Sequence, residues 1–311
     1  MKYFFMPVFF MLMGGVSLAQ EPEDSVAYLG KKTITLSELV VDNQLNVPKF
    51  IEQVKQDSSF YKAFRNLHIL GYTAINDIRM VNKKDELKAG LFSKIKQHRR
   101  GNCRYMETIS EKISGDMLTD DGNWNYYTAS MYAALFFAKD TLCGETNIVA
   151  GREFSLKGKR GMEKHKEQLK MLFFNPGKKI KGLPFLSNKT EIYDDNLAEA
   201  YDMSIDLEFY NGVNCYIFYQ KVKPEYRNKV VVDEMKTWFD QENMEVMART
   251  YSLNYRAGIY DFDVQMEVQM TRYKNLTVPA LVRYIGNWKA ITKKRERGYF
   301  TATISEFTDA N

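Results

Sequence analysis

Residues 263–270 alternate strictly between polar and apolar side chains, and this pattern constrains the fold more than any other in the chain. The apolar members are Val264, Met266, Val268 and Met270. A side-chain period of two belongs to a β-strand, because a helix would repeat its apolar positions every three to four residues. When only one face of a strand is apolar, that face packs on a core and the other faces water. The sequence therefore predicts an antiparallel sheet with one face buried against a core.

The same period recurs along much of the chain in runs separated by turn sequences. Strands are predicted at residues 75–81, 87–98, 124–138, 214–222, 235–240, 247–255, 280–284 and 298–307. Turns are predicted at residues 82–85, 120–123, 210–213 and 241–243, where asparagine, aspartate and glycine concentrate. Residues 131–138 are apolar on both faces, so we expect that part of its strand to be covered on both sides.

Helical spacing interrupts the strands in two places. The first predicted helix begins at Asn46, a good capping residue, carries Pro48 in its first turn and ends between residues 67 and 71. The second covers residues 161–174, stops at Asn175-Pro176-Gly177 and is followed by a short helical turn near residues 196–201. The pattern predicts an α+β fold: a large curved antiparallel sheet, an unclosed β-barrel, with helices packed on its concave face. We expect residues 46–311 to form one domain.

The N-terminal residues predict a cleaved signal peptide over residues 1–19. Lys2 precedes an apolar run at residues 3–16, and Ser17-Leu18-Ala19 places small residues before a cut at Gln20. No cysteine follows the run, and no second apolar run approaches the roughly 20 residues of a membrane-spanning helix. We therefore expect a periplasmic or secreted protein, with residues 20–45 as an extended lead-in arm.

The charge pattern argues against a nucleic-acid partner. The formal net charge of +5 falls to +4 without Lys2, and basic residues are interspersed with acidic ones. Basic clusters occur at residues 94–104, 157–166, 178–181 and 293–297. One interpretation is solvated faces and protected sheet edges. The other is peripheral contact with anionic lipid headgroups through a basic rim, for which we select Lys293, Lys294, Arg295 and Arg297.

Three cysteines allow three different single disulfides. Cys215 lies in an apolar strand-like run, which favours a disulfide between Cys103 and Cys143 in an oxidising compartment. The alternative is that all three are reduced and buried.

The sequence offers no signature of catalysis. Ser93 and Lys96 match a Ser-x-x-Lys motif, but the local period of two points them to opposite faces. His68, His98 and His165 lack metal-ligand spacing, and Asp116, Asp120 and Asp121 are explained by turn chemistry, with a calcium site as the alternative. We therefore predict no catalytic residues, no metal and no cofactor.

The last third of the chain carries a family pattern in residues 211–216, 223–224, 236–240 and 251–253. In this pattern, which covers roughly residues 200–305, the chain resembles the LolA-like superfamily of periplasmic lipoprotein carriers. The whole chain is more similar to a group of secreted Bacteroidetes proteins with stretches such as residues 101–104 and 293–297, and residues 33–41 resemble a segment of Bacteroidetes outer-membrane proteins. The carrier resemblance implies a cupped sheet with an apolar concave face under helices.

These observations favour a non-enzymatic binding protein whose cup holds acyl chains of a lipid or lipoprotein. We expect Val264, Met266, Val268, Met270 and Trp238 to line the cup, and Phe50 and Val54 of the first helix to cover it. Methionine suits such a surface because its side chain is flexible and polarizable. The alternative is an interaction module that docks onto an outer-membrane partner through its aromatic sheet or residues 33–41. A third possibility is a hydrolase with a dispersed active site.

Overall fold

A computed structural model of the protein describes residues 25–149, 171–179, 189–194, 197–256, 260–290 and 294–309. In this part of the chain, thirteen strands form one sheet in the order β1-β2-β7-β8-β9-β10-β11-β12-β13-β3-β4-β5-β6. The strands are β1 Ser25–Leu29, β2 Lys32–Leu36, β3 Gly71–Val81, β4 Leu87–Arg100, β5 Cys103–Gly115, β6 Leu142–Cys143, β7 Tyr201–Tyr210, β8 Val213–Val222, β9 Val232–Asp240, β10 Val246–Arg256, β11 Tyr260–Tyr273, β12 Leu276–Ala290 and β13 Glu296–Thr308. The helices are α1 Glu38–Asp42, α2 Val47–Gln56, α3 Ser59–Asn66 and α4 Tyr127–Phe136.

The sheet is antiparallel except where β2 runs parallel to β7. β1 and β6 end the strand order without pairing to each other, so within the described residues the sheet is not closed. Irregular pairing, as between Lys94 and Ile95 of β4, marks bulges that increase the local twist. The predicted α+β class, with an unclosed antiparallel sheet, is therefore confirmed.

The strictly alternating residues lie in the middle of β11, as predicted. Val264, Met266, Val268 and Met270 are buried, and the polar residues between them are exposed or half-buried. The side of the sheet on which these four residues pack is called the inner face below, and the other side the outer face. The inner face carries the main hydrophobic core, in which α2, α3 and α4 also take part.

The first predicted helix is two helices that meet at Asp57. Asn46 caps α2 as expected, since its side-chain oxygen accepts the Lys49 backbone N–H at 3.0 Å. Asp57 then leaves helical geometry with ψ near 130°, and its Oδ1 accepts the Ser59 backbone N–H at 2.8 Å. The short polar side chain thus ends one helix and begins the next. Of the second predicted helix, only residues 171–174 lie in the described part, and they are helical.

The strand predicted over residues 124–138 is wrong, because residues 127–136 form α4. A Glu296 carboxylate from β13 accepts the backbone N–H groups of Tyr127 and Thr128 at 3.0 and 2.8 Å and thereby caps this helix. Apolar residues cover all sides of α4, so its period could not be read from the sequence. The turn at residues 120–123 exists, but only a single bridge between Leu118 and Trp124 flanks it.

The lead-in arm is less extended than predicted. β1 and β2 form a hairpin at the edge of the sheet, and residues 38–42 are helical. Ile34 and Val40 of this segment are fully buried. The segment is therefore packed into the sheet, and the predicted boundaries of the arm and the domain remain predictions. The predicted signal peptide lies outside the described residues.

Cys103 and Cys143 face each other in the β5–β6 pair and form a disulfide. Cys215 is free and buried. Burial, together with the carboxylates of Asp240 and Glu208, raises the pKa of the Cys215 thiol to about 11. Cys215 therefore stays a neutral thiol at physiological pH.

Candidate functional site

The predicted cup residues of α2 and β11 belong to one hydrophobic core. Phe50 of this helix meets Tyr216, Phe218 and Phe239 edge-on, with ring centroids 5.6, 5.6 and 5.8 Å apart. Phe50 and Val54 are buried and belong to the same core as Val264, Met266, Val268 and Met270. The fold therefore brings six of the seven predicted cup residues into one apolar layer.

Trp238 is not part of this layer. Its neighbour Phe239 packs on Phe50, and side chains alternate along a strand, so Trp238 points to the outer face. There it belongs to a smaller cluster with Cys215, Ile217, Met247 and Ala248. The expectation that Trp238 lines the cup is corrected accordingly.

Aromatic side chains fill the space between the sheet and the helices on its inner face, of which α2 and α3 are together called the cover below. The Phe64 and Phe174 rings lie 4.9 Å apart, and Phe173 lies 5.4 Å from Tyr284 of β12. Tyr132 of α4 lies 4.5 Å from the Tyr284 ring and stacks on Phe300 at 5.1 Å. The layer is thus a packed aromatic interior in this conformation.

Two tyrosine hydroxyls in this layer stand out. The hydroxyls of Tyr132 and Tyr255 are buried and have no hydrogen-bond partner among the described residues. A buried hydroxyl without a partner costs about 1–3 kcal/mol, so such groups are uncommon in a core. The Tyr251 hydroxyl, by contrast, donates to the Phe173 carbonyl oxygen at 2.7 Å.

A buried ion pair ties the α2–α3 junction to the inner face. Arg249 of β10 is buried, and its Nη2 lies 3.7 Å from Oδ2 of Asp57. Its Nε donates to Thr237 Oγ1 at 3.0 Å, and its guanidinium carbon lies 4.5 Å from the centre of the Phe60 ring. The guanidinium of Arg249 is therefore held by Asp57, Thr237 and the Phe60 ring.

Lys178 binds the same, C-terminal end of α2. Its Nζ donates to the carbonyl oxygens of Val54 (3.4 Å) and Lys55, in the last turn of that helix. Burial lowers the pKa of Lys178. A cation at a helix C-terminus is favoured by the helix dipole, so Lys178 joins the segment around residue 178 to the cover.

A second polar cluster, which the sequence did not indicate, surrounds Glu145. Glu145 Oε1 lies 2.8 Å from His68 Nδ1, and Oε2 accepts a hydrogen bond from Arg104 Nε at 2.5 Å. Burial would raise the pKa of Glu145, but hydrogen bonds from His68 and Arg104 outweigh it and hold the pKa at about 2. Burial lowers the pKa of His68. The residues are 36 to 77 positions apart in pairs, so only the disulfide between Cys103 and Cys143 could have pointed to their meeting.

The structure describes three of the four residues of the predicted basic rim. Lys294 is exposed, Arg295 binds Asp261 and donates to Asn287 Oδ1 at 3.0 Å, and Arg297 Nη1 lies 3.7 Å from Asp85 Oδ1. Lys293 lies outside the described residues. Two of the three described rim cations are thus already paired with carboxylates.

Other candidates from the sequence gain no support as sites. Ser93 is buried and Lys96 exposed, on opposite faces of β4 as predicted. Asp116 accepts hydrogen bonds from Asn125 and Tyr126. Within the described ranges, no group of three or more histidine, cysteine or acidic residues is arranged to hold a metal ion. The helices in these ranges include none with the length and apolarity needed to cross a membrane.

Comparison with known proteins finds solved structures that align with most of the chain at low identity. No family model and no curated protein matches the chain. A DUF1329 family protein from Desulfovibrio piger is 10% identical, with 81% of this chain and 91% of that one covered and a TM-score of 0.25. An outer membrane lipoprotein-sorting protein domain from Vibrio parahaemolyticus is 9% identical, with coverages of 82% and 92% and a TM-score of 0.27. At these TM-scores the two structures carry no argument about this chain, and its architecture rests on its own strand pairing.

Proposed function

We propose that this protein is a periplasmic or secreted carrier that holds acyl chains of a lipid or lipoprotein between the inner face of its sheet and the helices α2 and α3. The single observation that carries the proposal is the composition of this layer. An apolar inner face rich in methionine is covered by the short helices α2, α3 and α4 and by residues 171–174 instead of by a second sheet. Helices that are joined to the sheet by a few polar contacts can move as a unit while the strands keep their hydrogen bonds.

Acyl chains are apolar, as are the side chains that fill this layer. Burying one methylene contributes about 0.8 kcal/mol, whether it belongs to the protein or to a ligand. An acyl chain that displaces Phe50 and its neighbours from the inner face would therefore recover much of the apolar contact that they give up. Met266 and Met270 can adapt to chains of different length because their side chains are unbranched.

The buried hydroxyls of Tyr132 and Tyr255 give the layer a polar element. In the described structure these hydroxyls have no partner. An ester or amide carbonyl at the head of an acyl chain would accept a hydrogen bond from such a hydroxyl. This supports an acylated ligand over a plain hydrocarbon.

The first test is to purify the protein gently from its own host, extract it with organic solvent and analyse the extract by mass spectrometry. A stoichiometric lipid or acylated peptide supports the carrier and identifies its cargo. A clean extract, together with no binding of a fluorescent fatty acid, would contradict it.

Variants locate the binding layer. Met266→Lys places a charge on the inner face and should abolish retention of the fatty acid, whereas Gln265→Lys, on the outer face of the same strand, should not. Because a buried lysine can unfold the protein, Tyr132→Phe serves as a second variant. It removes only a hydroxyl that has no partner, so folding stability should hold or rise while retention of an acylated ligand falls. Retention that is unchanged in both inner-face variants would count against the proposal.

A second function, docking onto an outer-membrane partner, is favoured by the sheet edge at β1. Tyr28 is 78% exposed, and Val26, Leu39 and Val41 of the same N-terminal segment are exposed as well. Deleting this segment is a poor test, since Ile34 and Val40 are part of the core. Tyr28→Ser combined with Leu39→Ser should abolish partner capture from outer-membrane extracts while fatty-acid binding stays intact. Capture that survives this change would argue against docking through this edge.

A further inference from the structure

The outer face of β3, β4 and β5 combines cations with exposed apolar side chains. Alternation along β4 places Phe92, Lys94, Lys96, His98 and Arg100 on this face, opposite the buried residues between them. Strand register adds the neighbours Ile75, Asp77 and Arg79 from β3 and Tyr105, Glu107, Ser110 and Lys112 from β5. This set is called the basic outer face below.

The basic outer face has a positive charge balance. It carries five lysine and arginine side chains and two carboxylates, a net charge of +3. Asp77 is bound by Arg79, and Glu107 lies 2.8 Å from His98. On β13, the Glu306 carboxylate accepts a hydrogen bond from Thr73 at the border of the face. Lys94, Lys96, Arg100 and Lys112 have no carboxylate within ion-pair distance among the residues that the structure describes.

Large apolar side chains stand among these cations. Ile75, Phe92 and Tyr105 are 43%, 50% and 41% exposed. The register places Ile75 beside Lys94 and Phe92 beside Lys112. Isolated exposed apolar residues are ordinary, but a group of them interspersed with unpaired cations is typical of a surface that meets a membrane interface.

We propose that the basic outer face docks onto a lipid surface that carries anionic headgroups. The cations supply attraction to the headgroups, and Phe92, Ile75 and Tyr105 enter the interfacial layer. A soluble polyanion such as nucleic acid would use the cations but would gain little from Phe92 and Ile75, so the apolar residues favour lipid. This surface lies on the side of the sheet opposite the acyl-chain layer. The inference does not depend on the proposed carrier function, and the two can fail separately.

Vesicle binding tests this assignment. The full mature chain is sedimented with phosphatidylcholine vesicles that contain or lack phosphatidylglycerol, at low and at raised salt. We expect binding to require phosphatidylglycerol and to weaken as salt rises. Lys94→Glu combined with Lys96→Glu should weaken binding about 25-fold or more, since each cation near an anionic surface contributes about a factor of five.

Two further variants decide between the possible surfaces and ligands. Phe92→Ser keeps every charge and should weaken vesicle binding while leaving binding to dextran sulfate unchanged. Lys289→Glu combined with Lys294→Glu makes the same charge reversal beside the predicted basic rim and should have little effect. The inference is overturned if the rim variant, and not the β4 variant, loses binding, or if Phe92→Ser binds vesicles as the natural chain does. Melting temperatures of all variants should match, because each substituted side chain is exposed or, for Lys94, half-buried on the solvent face of β4.

Discussion

At the scale of single residues, the ionisation of Glu145 couples stability to pH. Its pKa of about 2 in the folded chain is well below the ordinary 4.5, so the folded state favours the carboxylate. The resulting stabilisation is fully present above pH 4.5 and is lost as pH falls toward 2. The lowered pKa of His68 acts in the same direction, since the unfolded chain takes up that proton first as pH falls below 6.5.

Glu145→Gln should therefore destabilise the protein at neutral pH by about 1–2 kcal/mol, a value reduced by the partial exposure of the pair. The difference from the natural chain should shrink toward zero near pH 2, and urea unfolding measured from pH 7 down to pH 2 checks this. Glu111→Gln, an exposed change on the edge strand β5, is the matched control. If Glu145→Gln lowers the free energy of unfolding equally at every pH, the loss comes from changed packing and not from the removed charge.

The sequence could not reveal this cluster, and the reason is physical. His68, Arg104 and Glu145 come from three separate segments, and each looks like an ordinary polar residue in its own context. By contrast, Val264, Met266, Val268 and Met270 were predicted as buried because a local period fixes their common face. Residue roles that depend on long-range contacts are not encoded in any local pattern.

At the scale of elements, α4 shows how a distant residue completes a helix. Its first-turn N–H groups are satisfied by Glu296, which lies about 170 residues further along the chain and whose carboxylate also complements the helix dipole. Glu296→Gln removes the charge and should cost about 1 kcal/mol. Hydrogen exchange should increase first in residues 127–136. Glu225→Gln, an exposed change in the short helix after β8, should leave that exchange unchanged.

Sequence reasoning missed several elements, and two of them, α4 and β5, were missed for opposite reasons. α4 is apolar on all sides, so no helical spacing of its apolar residues distinguishes it from a strand covered on both faces. β5 is exposed along most of its length and is rich in charged and hydroxyl side chains, so it has no dry face to produce a period. β11 has one dry and one wet face, and it was predicted without difficulty.

The disulfide links elements that otherwise share little contact. It joins β5 to β6 across a sequence separation of 40. In doing so it holds Glu145, Thr146 and Asn147 against the residues at the end of α3. Removing it with Cys103→Ala and Cys143→Ala should cost up to about 4 kcal/mol by the loop-entropy account.

Reductant provides the control for this prediction. It should lower the unfolding midpoint of the natural chain to that of the double variant and leave the variant itself unchanged. Cys215→Ala should keep the full sensitivity to reductant, because Cys215 takes no part in the bond. A natural chain whose midpoint does not respond to reductant would show that the bond contributes nothing to stability.

At the scale of the whole molecule, the strands form one continuous hydrogen-bonded sheet, and α2 and α3 lie on its inner face as the cover. Backbone hydrogen bonds run from strand to strand throughout the sheet, whereas the cover meets it through apolar contacts and side-chain polar contacts. The polar contacts include the Arg249–Asp57 pair, the Ser59 hydroxyl, which accepts the Val246 N–H at 2.9 Å, and the Asn66 side chain, which donates to the Thr277 carbonyl oxygen at 2.8 Å. Apolar contacts have no direction, so they can be remade with a ligand. The polar contacts are specific to the closed arrangement. If the protein is the proposed carrier, opening of the cover should therefore depend on the polar contacts more than on the aromatic ones.

Asp57→Asn tests this dependence with little other change. The asparagine oxygen can still accept the Ser59 N–H and start α3, while the charge that faces the buried Arg249 is removed. A buried arginine without its counter-ion is strongly unfavourable, so the closed state should be weakened relative to the open one. Hydrogen exchange of residues 47–66 should then rise, and a fluorescent fatty acid should enter faster, while the amides of β11 and β12 exchange as slowly as before.

Glu52→Gln on the exposed side of α2 is the matched control, since it also removes one carboxylate from the same helix pair but faces Gln56 and not the sheet. It should change neither exchange nor uptake. If Asp57→Asn instead speeds hydrogen exchange equally in β11 and β12, the ion pair stabilises the whole fold and does not specifically hold α2 and α3 on the sheet. If hydrogen exchange rises only in residues 47–66, the cover can leave while the sheet stays folded. The proposed carrier requires this motion.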